Sequence, residues 1–351
     1  APGEDLTVRG DAEGRWRSIG LPGAMLQRTV DGRVVRRRRA GSGGRAVEEV
    51  PDDLAASVHD RVRGRIEELL ARRSAPEDVA PVLERAATWD AARFEADRAR
   101  YRAIYRPVGI LPPDQYRALV LQPTTGCPWN RCDFCTFYRD QAYSVPSPED
   151  FVRHAREVRA FFGRALPLRR GVFLGEANAL ALPQRRLLEV LAVVREELGE
   201  AGESAAFFDP HHSPARGVAE FAALRAAGLA SVSIGLESGC QEALDLLGKG
   251  GRVERVVEAV RDARAGGLRI GLMVLVGPGG ESLAARHREE TAGAIGNMQL
   301  DRSDVVFVSP LGQSLPPDRL ETETIDLRRA IASATRARTS PYRLEEFQYY
   351  A

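Results

Sequence analysis

Residues Arg117-Ala-Leu-Val-Leu121 run through Gln122-Pro-Thr-Thr-Gly126 into Cys127-Pro-Trp-Asn-Arg-Cys132-Asp-Phe-Cys135. An apolar run feeding a polar loop reads as a strand with a functional loop at its C-terminal end. Three of the four cysteines lie in these nine residues, and the fourth, Cys240, is isolated. A chain of 351 residues needs no disulfides to build a core, and so few cysteines make no disulfide framework. A structural zinc site wants four ligands. Cys240 and the histidines at 59, 154, 211, 212 and 287 are the reserve, but none lies at paired finger spacing from the triplet. Three thiolates on one loop suit an iron–sulfur cube, in which one iron is left open.

Downstream, short β-rich runs alternate with helical patterns, which argues for a parallel sheet or barrel. Strands are predicted at Arg117–Leu121, Gly171–Leu174, Ala205–Phe208, Ala230–Ile234, Leu268–Val276 and Val305–Val308. Helices are predicted to about Phe162 from the Ser147-Pro148 start, then at Pro183–Leu198, Pro214–Ala226, Glu242–Leu247, Val253–Ala265, Ser282–Ile295 and Thr324–Arg336. Six β/α units are too few for a closed eight-stranded barrel. Sites in such folds gather at the C-terminal strand ends.

Residues 1–115 read differently. Met25–Val30, Asp31-Gly32 and Arg33–Arg38 form a hairpin signal with a type I′ turn. Gly41–Gly44 is a flexible break, and Leu54–Arg72 and Pro76–Tyr105 read as two helices. Ser74-Ala75-Pro76-Glu77 matches a capping box. Fifty basic and 49 acidic residues leave a net charge of +1, which argues against a protein working mainly by neutralising phosphates. The run Arg36–Arg39 reads first as a solvated strand edge. An apolar content of 44% excludes a wholly disordered chain. There is no apolar run of membrane-spanning length and no signal-peptide core, so a cytoplasmic protein without a membrane segment is expected.

The cysteine loop resembles that of the radical S-adenosylmethionine (SAM) superfamily, whose usual signature is Cys-x3-Cys-x2-Cys with an aromatic before the last Cys. Here Phe134 is that aromatic, and the first gap holds four residues, Pro128 to Arg131, in place of three. The resemblance covers roughly residues 115–312. It implies an α/β fold with a partial (β/α)6 barrel at 116–312; the residue patterns outside it give an N-terminal hairpin-plus-helices extension at 1–115 and a C-terminal helix and tail at 313–351. It also implies a 4Fe-4S cluster on Cys127, Cys132 and Cys135, with SAM bound at the open iron.

Three further segments carry the likeness. Gly175-Glu176 ends the second strand, as in the family's Gly-Gly-Glu segment, which binds the SAM ammonium; Leu174 replaces the first glycine. An ordinary glutamate capping the next turn is the alternative. Ser233-Ile-Gly-Leu-Glu237-Ser-Gly-Cys240 resembles the fourth-strand segment of the group that includes oxygen-independent coproporphyrinogen oxidases and methylthiotransferases. This implies a bond from Glu237 to the ribose hydroxyls, as acids make in dinucleotide sites. Lys249, the only lysine, then stands where a cation pairs with the SAM carboxylate; a helix C-terminal cation is the alternative. Val276-Gly277, in a Gly-rich turn after the fifth strand, resembles the segment whose backbone passes the adenine.

Substrate contacts are sought at Phe207-Phe208-Asp209-Pro210-His211-His212. Asp209 is a candidate to face the radical, and His211 or His212 to exchange a proton; a polar turn before a helix is the alternative. Cys240 is a candidate hydrogen-atom donor, against the alternative of a small buried residue. Four cysteines allow one cluster and no auxiliary one. The expected function is reductive cleavage of SAM and hydrogen abstraction from a small-molecule substrate in biosynthesis. An electron donor such as flavodoxin or ferredoxin is the implied partner, and nucleic acid is not. The rivals are a zinc or nucleic-acid-binding module, and an activase that places a radical on a partner protein.

Overall fold

A computed structural model of the chain describes residues 7–39, 44–72, 76–312 and 314–351. It divides into two compact units. One comprises the described residues up to Leu111, with 156–170 and 345–351; the other comprises 112–155 and 171–344. No helix among the described residues is long and apolar enough to cross a membrane.

The first unit carries a five-stranded antiparallel sheet in chain order: β1 (Thr7–Gly10), β2 (Trp16–Leu21), β3 (Ala24–Arg28), β4 (Val34–Arg39) and β5 (Arg45–Glu49). Three helices follow: α1 (Asp52–Ala71), α2 (Ala80–Ala87) and α3 (Ala91–Ile104). Trp16, Ile19, Leu26 and Val34 from the sheet bury their side chains with Val62 and Phe94 from α1 and α3. The predicted hairpin is β3–β4, but its turn is not type I′. Of the two turn residues only Gly32 is left-handed (φ 88°). Gly32 N–H donates to Thr29 O at 3.1 Å and Thr29 N–H to Arg33 O at 2.9 Å, a type I turn closed by a glycine bulge. Asp31 keeps a negative φ because its carboxylate accepts from the Arg33 backbone and guanidinium.

The second predicted helix is broken into α2 and α3. The Asp90 side chain caps Arg93 N–H at 2.8 Å, and the Trp89 indole turns inward to donate to Glu13 O at 2.8 Å. Residues 41–43 of the glycine break, and Ser74 and Ala75 of the predicted capping box, lie outside the described residues. In the basic run of β4, Arg38 pairs with Glu48 on β5, and Arg33, just before the strand, pairs with Glu49 at 3.2 Å. Arg37 lies over the Tyr350 ring. The run is therefore not the strand edge expected: β4 is flanked by β3 and β5, and its arginines meet cross-strand partners.

The second unit holds a parallel sheet whose order follows the chain: β6 (Leu119–Leu121), β7 (Val172–Leu174), β8 (Ser204–Phe208), β9 (Leu229–Glu237), β10 (Arg269–Val276), β11 (Val305–Pro310) and β12 (Arg338–Pro341). The helices between them are α4 (Pro148–Phe162), α5 (Gln184–Leu198), α6 (Val218–Ala226), α7 (Gln241–Leu246), α8 (Val253–Ala265), α9 (Gly280–Asn297) and α10 (Pro317–Ala334). Strands β6 to β10 carry near-continuous buried apolar residues, as a sheet covered on both faces requires. This is a partial (β/α)6 barrel, and the seventh strand, β12, extends it beyond the predicted six. The last helix begins earlier than predicted because Pro317 starts it. The helix predicted from Pro214 begins at Val218, since Arg216 is buried and spends its guanidinium on Leu180 O and Leu182 O.

Candidate active site

The residues named from sequence sit at the C-terminal ends of the parallel strands. The loop after β6 carries Cys127, Cys132 and Cys135, all partly exposed free thiols, with Phe134 half-buried among them. Asn130 is left-handed (φ 50°), and its N–H donates to Cys127 Sγ at 3.3 Å. The Arg139 guanidinium gathers the loop by donating to Cys135 O, Cys132 O and Asn130 O at 3.1, 2.6 and 3.4 Å. Burial pushes the Cys132 thiol up to about 12. Among the described residues, no group of three or more His, Cys, Asp or Glu side chains closes on one ion position. A cube gives each thiolate its own iron, so three separate thiols are a donor set that it takes.

The cysteine loop docks on the turn that carries Lys249. Trp129 Nε1 donates to Gly248 O at 2.9 Å, and Asp133 N–H to Leu247 O at 3.0 Å. A Cβ on Gly250 would fall 3.1 Å from the Trp129 ring, which leaves glycine the natural residue there. The other face of this turn reaches β9: Lys249 Nζ lies 3.1 Å from Glu237 Oε1, with both side chains about nine-tenths buried. Burial opposes the charge on Lys249, but Glu237 and Asp209 outweigh it and hold the ammonium well above the usual lysine range. Glu237 is left-handed (φ 59°) and follows a bulge, since Met273 pairs with Gly235 and Val274 with Glu237. A bulge re-aims a side chain. The carboxylate folds back across Gly235, where a Cβ would collide with Oε1.

Glu176 lies in the turn two residues past the end of β7 and is 4% exposed. Gln122 donates to its Oε1, while Oε2 is buried without a hydrogen-bond partner. Burial, only partly offset by Gln122, pushes this carboxyl up to about 7. An orphaned acceptor beside a strand end fits an ammonium. Gly175 lies against Val120. Val276 is buried, and the space beside Gly277 (φ 87°) is taken by Ser314, which a Cβ placed there would strike. Glycine is therefore the residue that fits there.

Asp209, His211 and His212 follow β8. Burial alone would raise Asp209. The Lys249 charge and bonds from the His212 ring (2.9 Å) and His211 N–H (3.0 Å) hold it far below the ordinary range. The His212 ring stacks on Trp129 with centroids 4.4 Å apart. His211 packs on Gly251, and its Nε2 is buried with no partner. Burial lowers its basicity. Cys240 is set apart from this group: it is fully buried, packed with Ala243 and Leu283, and its thiol meets Glu290.

Sequence reading missed Gln122 and Asn178. Asn178 is 1% exposed and ties the post-β8 turn: it accepts from Asp209 N–H and donates to Ser213 Oγ at 3.0 Å. Both are polar residues one to four places after an apolar strand, which is the signal that would have found them.

Comparison with known proteins places residues 121–291 in the family described as the radical SAM superfamily. No curated protein matched the chain. Among solved structures, the radical SAM methyltransferase TsrM from Kitasatospora setae, with cobalamin and a 4Fe-4S cluster bound, is similar at 19% identity and TM-score 0.43, over 59% of this chain and 40% of that one. The coproporphyrinogen III oxidase HemN from Escherichia coli aligns at 16% identity and TM-score 0.44, over 68% and 54%. The FeFe-hydrogenase maturase HydG from Carboxydothermus hydrogenoformans aligns at 14% and 0.41, over 82% and 71%. The chain thus spans two fifths of the length of TsrM and about half that of HemN.

Proposed function

We propose that the chain, whose residues 121–291 match the radical SAM superfamily, is an enzyme that uses SAM and a 4Fe-4S cluster to abstract hydrogen from a small biosynthetic substrate. Cys127, Cys132 and Cys135 would hold the cluster, with Phe134 beside them. When bound, cluster and SAM together supply a 5′-deoxyadenosyl radical from reductive cleavage of SAM.

The protein's part is to orient and shield. Glu176 offers its unpartnered oxygen to the SAM ammonium, and Gly175 allows the backbone to approach. Glu237 accepts from the ribose hydroxyls, Lys249 pairs with the carboxylate, and Val276-Gly277 flank the adenine. Among the substrate candidates, His211 is the proton acceptor: burial favours its neutral form, and its Nε2 is buried without a hydrogen-bond partner. Asp209 orients His212 and Lys249 instead of meeting the radical, and Cys240 packs. A reductant such as flavodoxin or ferredoxin supplies the electron, which goes with a cytoplasmic location.

The observation that carries this reading is the shared turn. One segment, Leu247–Gly250, receives the cysteine loop on one side and presents Lys249 to Glu237 on the other. The test is anaerobic reconstitution with iron and sulfide, followed by dithionite and SAM. 5′-Deoxyadenosine is the expected product, and its absence from a protein with an intact cluster sinks the proposal.

A further inference from the structure

The left-handed conformation of Glu237 is not explained by its ion pair. A non-glycine residue in this conformation persists only where its surroundings over-determine it. Lys249 fixes the carboxylate, but the backbone must be fixed by residues 238–240. Ser238 N–H closes a tight turn onto Leu236 O at 2.7 Å. Next, Gly239 lies directly against α9: a Cβ there would collide with Glu290 O. Its N–H donates to Thr291 Oγ1 at 2.8 Å.

At the centre of this contact is His287, buried on α9 at 3% exposure. Its Nε2 lies 3.0 Å from Leu275 O, near the end of β10. A carbonyl only accepts, so Nε2 carries the proton and Nδ1 is the acceptor. Nδ1 lies 2.7 Å from Ser238 Oγ, which therefore donates its hydroxyl proton to the ring. The same oxygen accepts from Cys240 N–H at 2.9 Å. Thr291 Oγ1 stands 3.3 Å from Nδ1 as a second neighbour. Burial keeps the ring neutral, with its pKa pushed down to about 4.

One imidazole thus joins two strand ends. One end is the turn that re-aims Glu237 on β9, and the other is Leu275, next to Val276-Gly277 on β10. We infer that His287 is a positioning residue for SAM, holding Glu237 in its left-handed aim through Ser238 and tying that aim to the end of β10 through Leu275. The inference rests on the reading of Glu237 as the ribose acid. His287 itself touches no cofactor.

Two amides separate the links. In His287→Asn the side-chain oxygen takes the place of Nδ1 and keeps the Ser238 bond. In His287→Gln the terminal amide takes the place of Nε2 and keeps the Leu275 bond. Each loses one hydrogen bond, so a purely structural histidine would show similar loss of thermal stability and similar SAM affinity in both. Equilibrium binding of SAM to the reconstituted protein, without reductant, is measured beside the melting temperature. The expected result is that His287→Gln weakens SAM about tenfold, the worth of one hydrogen bond, while His287→Asn stays near wild type. Ser238→Ala should match His287→Gln, and the double variant should be no weaker than either. Equal affinities in the Asn and Gln variants, or additive losses in the double variant, overturn the assignment. A wild-type protein that assembles its cluster yet binds no SAM overturns the reading of Glu237 as well.

Discussion

The Lys249 ammonium lies 3.1 Å from Glu237 Oε1, so the only lysine in the chain is matched to a left-handed glutamate twelve residues before it. Each is nearly buried, and each satisfies the other before any ligand arrives. Lys249→Ala should therefore do two separable things. It should weaken SAM binding while iron and sulfide content stay unchanged. It should also lower the stability of the cluster-free protein by about 3 kcal/mol, because a buried carboxylate is left without its cation. The double variant Glu237→Gln/Lys249→Met should recover most of that loss in a denaturant titration. A single variant as stable as wild type would mean the pair is not buried in solution.

Glu176 predicts a pH dependence. Its carboxyl is pushed up to about 7 in the fold, from an ordinary 4.5. The folded state then holds a proton that the unfolded state has already released. Stability contributed by the neutral carboxyl is full below pH 4.5 and is lost as pH climbs through 7. The interval corresponds to roughly 3 kcal/mol. Against wild type, Glu176→Gln should be more stable at about pH 8, and the two should converge near pH 4.5. Parallel stability curves across that range would show that the carboxyl is solvated.

The cysteine loop can be tested by colour and metal content. Cys132→Ala should abolish the visible iron–sulfur absorbance after reconstitution. Arg139→Leu keeps all three thiols but loses the guanidinium that collects three loop carbonyls. It should take up less iron and sulfide while its far-ultraviolet circular dichroism is unchanged. Full loading of the Arg139 variant would show that the loop organises itself without the clamp.

In the first unit, Asp97 stands between two buried guanidiniums, 3.4 Å from Arg15 and 3.7 Å from Arg28. Asp11 neutralises Arg15 from the other side at 2.8 Å. Asp97→Asn leaves Arg28 buried without a carboxylate and should destabilise the protein by about 3 kcal/mol or more. Chemical denaturation decides this; a change below about 1 kcal/mol would place the pair among solvated surface bridges.

The sequence made the barrel strands legible because each is a buried apolar run bounded by polar turns. Strand β12, Arg-Thr-Ser-Pro, carries no such pattern. It is a strand because β11 offers it an edge, and pairing at an edge asks nothing of the side chains. The exposed strand β1 escaped for the same reason. At the site, the cysteine triplet stood out by its spacing, while Glu176, Glu237 and Lys249 were named only because their segments resemble those of the family. The aim of Glu237 was not, because a bulge and a left-handed φ leave no mark on composition. His287 looked like one histidine among five, and only the neighbours of its two ring nitrogens set it apart.

The strand order of the sheet bears on how the protein is made. Since each strand adds beside the one before, the cysteine loop leaves the ribosome with the first barrel strand. The turn that receives Trp129 and Asp133 emerges roughly 110 residues later. At about 5–20 residues per second, that interval is on the order of ten seconds. Throughout it, the three thiols proposed to take iron have neither their docking partner in the turn after α7 nor the lysine beside it. Thiol chemistry during synthesis, and not only in the finished enzyme, is thus a hazard written into the topology.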